Sequence, residues 1–119
     1  MATGSLVVFD NLLGAIEPLT QFPGGWSVID GRPEAQNRKV YTPGDPNMVS
    51  GKWSCSPGKF SLNTVVWEFC HVISGKCIIT PEGGEPQTLE AGGTFIVEKG
   101  FRGTWEVVQT MTKFYVVAP

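Results

Sequence analysis

From residue 48 onward the chain is punctuated at short, even intervals, and that rhythm leaves few folds open. Segments rich in Val, Ile, Phe, Trp and Thr run over 49–55, 64–73, 76–80, 87–89, 94–98, 103–109 and 113–117. Between them stand PGK, SG, PEGGEP, EAGG, KGFRG and TMT, whose residues tolerate turn geometry. No window after residue 48 keeps a helical period over eleven residues. Many short strands at even spacing predict an all-β sandwich or barrel.

Residues 1–47 read differently: an apolar start, LVVFDNLLGAI, is followed by two breaker clusters, QFPGGWS and YTPGDPN. Leu12, Leu13 and Ile16 share one face of a single helical turn, which Gly14 and Pro18 keep short. A leader of this length cannot bury a core by itself. It is predicted to add a strand or two and irregular cover to a barrel spanning 48–119, as one domain.

Charge and composition narrow the function classes. Nine Lys plus Arg against eleven Asp plus Glu give a net charge of −2, so no general basic field exists for nucleic acid or anionic lipid. Hydrophobic residues at 41% against 17% charged exclude a disordered chain. No apolar run has the length to cross a bilayer, and no secretory signal is expected at the N-terminus. Cys55, Cys70 and Cys77 are odd in number and form no CxxC pair, which argues against a disulfide framework and for a cytoplasmic location.

The stretch VVWEFCHVI carries the most information. At a strand's period of two, Val66, Glu68, Cys70 and Val72 face one way and Trp67, Phe69, His71 and Ile73 the other. Both faces are mostly apolar, so the strand is expected to be covered on both sides. Ser74-Gly75 reads as a tight turn into KCIIT, pairing Val72 with Cys77 and Cys70 with Ile79. That pairing places Cys70 and Cys77 diagonally, roughly 7–8 Å apart at the backbone, too far for an unstrained disulfide.

The run Glu68-Phe69-Cys70-His71-Val72-Ile73-Ser74-Gly75 resembles the end of the first cupin motif, and Gly92 with Glu98-Lys99-Gly100 resembles the start of the second. EFCHVISG, AGGTFIVEKGFRGTWEV and KFYVV, with Trp53 and the Pro57-Gly58 turn, are similar to small single-domain cupins resembling the cupin domain of (S)-ureidoglycine aminohydrolase. The resemblance covers about 48–119. It implies a double-stranded β-helix, or jelly roll, of two antiparallel sheets, a homodimer, and a site inside the barrel.

The departures from that pattern matter as much. Where metal-binding cupins place their paired histidines stand Leu62 and Thr64, or Ser61 and Asn63 at the longer spacing; the third falls on Gly103 and a later asparagine on Val107. Of the implied ligands only Glu68 remains, and His71 lies on the opposite face of its strand, so no metal or other cofactor is expected. Parity turns Glu68, Cys70, Gly103, Trp105 and Val107 inward. Trp105 is expected to fill the volume of a metal, with Gly103 leaving it room and Glu68 accepting from its indole N–H. Glu68, buried among apolar walls, needs a partner such as Lys52, Arg102 or Lys113.

Three functions stay open on these grounds. The first is a metal-free cupin binding a small neutral or cationic molecule between Trp53, Glu68, Cys70 and Trp105. The second is an enzyme acting on an amino or ureido compound with Glu68 as catalytic base, as the resemblance implies. The third is a cavity-free homo-oligomer that uses the face of Trp67, Phe69, His71 and Ile73.

Overall fold

The computed structural model describes Gly4 and residues 6–9, 17–18, 22–41 and 48–119. Among these residues all regular structure is β: β1 Glu17–Pro18, β2 Trp26–Asp30, β3 Ala35–Tyr41, β4 Val49–Cys55, β5 Gly58–Asn63, β6 Trp67–Pro81, β7 Gln87–Glu90, β8 Thr94–Val97 and β9 Arg102–Ala118. No helix is long and apolar enough to cross a membrane among them. The helical turn expected around Leu12 and Ile16, and the cluster at 42–47, lie outside the described residues.

Two long strands organise the rest. β6 and β9 run antiparallel from Trp67↔Ala118 to Pro81↔Gly103, with register shifts between Val72 and Cys77. On one side of those shifts β9 also pairs with β4, and β6 with β8; on the other, β9 pairs with β5, and β6 with β7. The leader strands extend the edges, β3 on β4 and β2 on β5. The bent β6–β9 ribbon thus belongs to both halves of a curled antiparallel sheet, the jelly roll that the strand pattern predicts.

The bend corrects the expected hairpin. Val72 pairs with Lys113, not Cys77, and the chain passes through Ser74-Gly75 without reversing. Gly75 has φ of 84°, and a Cβ there would meet the Thr110 carbonyl oxygen at 2.1 Å. This is a bulge that bends a strand where it crosses its neighbour, and it asks for the same residues as a turn. The shifted register also switches inward parity, from Cys70 and Val72 before the bulge to Cys77 and Ile79 after it, all four buried. Thr110-Met111-Thr112 similarly lies within β9 instead of separating two strands.

β5 is a strand the punctuation hides, because its first residue belongs to the Pro57-Gly58 turn. Its alternation is plain in the structure: Phe60 and Leu62 are buried, while Lys59, Ser61 and Asn63 are not. In turn, β6 starts only at Trp67. Thr64 forms a node instead, donating to the Glu98 carbonyl at 2.8 Å and accepting from the Phe101 N–H at 3.0 Å. The core between the two halves comprises Trp53, Phe60, Leu62, Cys70, Val72, Trp105, Val107, Met111 and neighbours.

Gly75→Ala should cost about 2 kcal/mol, because the new Cβ meets backbone at a positive φ. Urea denaturation reads this, and an unchanged midpoint would mean that the corner does not constrain β6.

Candidate functional site

The barrel mouth holds a cavity of about 430 Å³. Strands bring its walls together from far apart in the sequence: Trp26 from β2, Asn37 from β3, Trp53 from β4, Glu68 from β6, and Lys113, Tyr115 and Val117 from β9, with Phe22, Thr64 and Val66 from the connecting segments. Ladder register explains the meeting. Trp53 lies opposite both Asn37 and Lys113, while Cys70 lies opposite Tyr115 and Glu68 opposite Val117.

Lys113 is the centre of this arrangement. It starts opposite Val72, and its side chain runs back along β6 toward the mouth. Its Nζ donates to Glu68 Oε2 at 2.7 Å and to Cys70 Sγ at 3.6 Å. The same ammonium lies 4.4 Å from the ring centroid of Trp105, 4.7 Å from Trp53 and 5.7 Å from Trp26. Only 3% of the Lys113 side chain is exposed against 14% for Glu68, so both line the cavity and the acid is the more open member of the pair.

Electrostatics follow from burial. Desolvation works against the Lys113 charge, but the facing Cys70 sulfur and Glu68 carboxylate more than offset it, and the Lys113 pKa is raised. Desolvation pushes the Cys70 thiol far up, so it stays protonated and is no nucleophile. Burial likewise lifts Cys55 to about 12 and Cys77 to about 11 from an ordinary 9.0, with the Lys113 charge opposing in each case. Tyr115 is raised too, by burial first and against its donation to Asn37 Oδ1 at 2.7 Å.

The inward set expected from strand parity is therefore assembled: Glu68 at the cavity, Trp53 on its wall, and Cys70 and Trp105 behind it. Two details differ. Glu68 is bonded to Lys113 and not to the Trp105 indole, whose Nε1, like that of Trp53, is buried without a partner among the described residues. Each such orphan donor costs about 1–3 kcal/mol. Gly103 is required not by Trp105 but by the Thr80 carbonyl oxygen, which a Cβ would meet at 2.2 Å. Of the three partners weighed for Glu68, Lys113 is the one present.

Sequence reading missed Trp26 and Asn37. Trp26 sits in a cluster that reads as turn, yet its ring packs against Trp53, Trp105 and Phe60 at 5.9, 5.0 and 5.1 Å. Asn37 belongs to a leader whose strand order has no local signal. His71 lies on the other face, sharing a 2.8 Å hydrogen bond between Nδ1 and Thr94 Oγ1. There it lines a separate apolar groove of about 330 Å³ with Phe69 and Phe114.

Residues 42–115 match the EutQ-like cupin domain. The chain belongs to that family. A DUF861-family protein of unknown function from Pseudomonas syringae pv. tomato superposes on this cupin with TM-score 0.80 and 22% identity over 92% of the chain. The cupin spans only 46% of that protein. The EutQ protein of Clostridium difficile superposes with TM-score 0.64 and 19% identity, over 73% of this chain and 69% of that one. Ectoine synthase from P. lautus gives TM-score 0.63 and 18% identity, over 77% and 68%. At these identities the likeness is one of fold. No curated protein matches the cupin in sequence.

Cupin barrels commonly imply a metal, and the donor set here does not fit one. Among the described residues no group of three His, Cys, Asp or Glu side chains converges. The two interior donors that do approach each other, Glu68 and Cys70, converge on the Lys113 ammonium instead.

The raised thiols carry a pH signature. Below pH 9 folded and unfolded chains both hold these protons; above it the unfolded chain releases them first, so stability falls as pH rises toward the folded values. Lys113, also raised, keeps its contribution until the pH passes 10.5. At pH 10 each buried thiol should lower stability by about 1 kcal/mol relative to pH 8. Thiolate absorbance should stay silent in the native protein and appear on adding urea. Thiolate signal in the native state at pH 10 would contradict the burial described.

Proposed function

We propose that this cupin binds a small neutral or cationic organic molecule at the barrel mouth, without a transition metal. One observation carries the reading. A carboxylate held by Lys113 through Oε2 stands at a 430 Å³ cavity whose walls include Phe22, Trp26, Trp53 and Tyr115. A ligand N–H or O–H donated to the Glu68 carboxylate gains a charge-assisted bond, and an apolar portion gains contact with Phe22, Trp26 and Trp53. The volume suits a single ring or a short chain.

Charge decides the sign of the ligand. A cation about 3 Å from Glu68 and about 5 Å from the covered Lys113 gains about 5 kcal/mol and loses about 3 at an effective dielectric near 20. A carboxylate in the same place reverses both and is repelled. Lys113 therefore lines the cavity without making it an anion site.

The enzyme reading, a base acting on an amino or ureido compound, has less support. Cys70 is held as the thiol, and His71 faces the opposite side of its strand. The other titrating groups at the cavity, Lys113 and Tyr115, both have raised pKa values and so stay protonated near neutral pH, which leaves Glu68 without a second base. A barrel packed shut is at odds with the cavity itself.

A thermal-shift screen of amines, amides, ureides, sugars and carboxylates tests the reading. A neutral or cationic compound should raise Tm by about 5 °C at tenfold excess over its Kd. Glu68→Gln should weaken its binding about tenfold or more, with a smaller change in tryptophan emission. Stabilisation by carboxylates alone, or binding unaffected by Glu68→Gln, would overturn it.

A further inference from the structure

Below the mouth, Lys113 and Trp105 complete an arrangement that shares Glu68, Trp26 and Trp53 with the cavity. Trp26, Trp53 and Trp105 stand with ring centroids 5.0 to 6.1 Å apart and planes inclined by 45° to 73°, so they form the walls of a box and not a stack. The Lys113 ammonium lies inside it, within 4.4, 4.7 and 5.7 Å of the three centroids. Glu68 Oε2 supplies the counter-charge at 2.7 Å. Aromatic faces around a cation, with a carboxylate to balance it, are how proteins hold organic ammonium ions.

An ordinary buried ion pair needs no such box. It needs hydrogen-bond acceptors for the remaining N–H groups, and here those groups meet one thiol and indole faces. Trp53 and Trp105 also have buried N–H groups with no acceptor among the described residues, a cost accepted at the very rings that face the ammonium. The rings are thus placed for their faces and not for their polar edges.

We infer that the barrel interior is a binding site for a primary alkylammonium ion whose occupant is the chain's own Lys113. Glu68 and Cys70 meet a cation carried covalently on β9. This fixes Glu68 through Oε2 and closes the barrel centre to a ligand, whatever occupies the mouth.

Lys113→Ala vacates the box while keeping Glu68 and the indoles. n-Propylammonium, which matches the lost Cγ–Nζ segment, should then raise Tm of the variant by about 5 °C at tenfold excess over its Kd and shift the tryptophan emission toward that of the parent. The isosteric n-propanol should do markedly less, and the parent protein should respond to the amine less than the variant does. Equal rescue by propanol would show a cavity that wants only volume, and no larger response from a folded variant than from the parent would show no inner ammonium site. Either result overturns the inference. If Lys113→Ala does not fold even with the amine, Lys113→Arg and Lys113→Met, both with Glu68 kept, decide the matter. The arginine variant must be the more stable of the two in urea, and equal or reversed stabilities overturn the proposal. The amine effect is read as the difference between variant and parent, so its outcome is separate from that of the ligand screen.

Discussion

An ammonium ion inside a β-barrel has to be compensated on every side, and the interior of this cupin is arranged around that demand. Bringing Lys113 out of water costs several kcal/mol, and a single carboxylate at 2.7 Å returns that only if the rest of the surroundings also favours positive charge. Three indole faces supply the remainder, at about 0.5–2 kcal/mol each in a desolvated setting. Lys113, Glu68 and the tryptophans are therefore interdependent. Removing any one leaves a charge or a void inside the barrel.

Backbone geometry makes the meeting possible. The ammonium, the acid and the indoles come from four strands, and the bend of the β6–β9 ribbon at Gly75 lets both halves of those strands face one interior. The extra residue at that corner resets parity, so Cys77 and Ile79 point inward along with Cys70 and Val72. A hairpin at the same place would have ended β6 and left Lys113 without its neighbour. Fold and site depend on the same irregularity.

Much of this was legible in the sequence, for identifiable reasons. Period-two alternation placed Glu68, Cys70, Trp105 and Val107 inward, because side-chain direction in a strand is a local property. The all-β class followed from punctuation. What stayed hidden was either chemically degenerate or non-local. Ser74-Gly75 serves a bulge as well as a turn, and the Pro57-Gly58 turn masked the alternation of Phe60 and Leu62. Lys113 was one of three cations near Glu68 on paper, since which strands lie side by side is not written in either strand alone. Trp26 reads as part of a turn until β2 is seen on the edge beside β5.

The most direct test is the coupling energy between Glu68 and Lys113, obtained by urea denaturation of Glu68→Gln, Lys113→Met, the double variant and the parent protein. The account predicts that each single change is costly, that the double variant recovers much of the loss, and that the coupling is about 2 kcal/mol or more. Additive effects, with coupling indistinguishable from zero, would mean that the two charges do not meet inside the barrel.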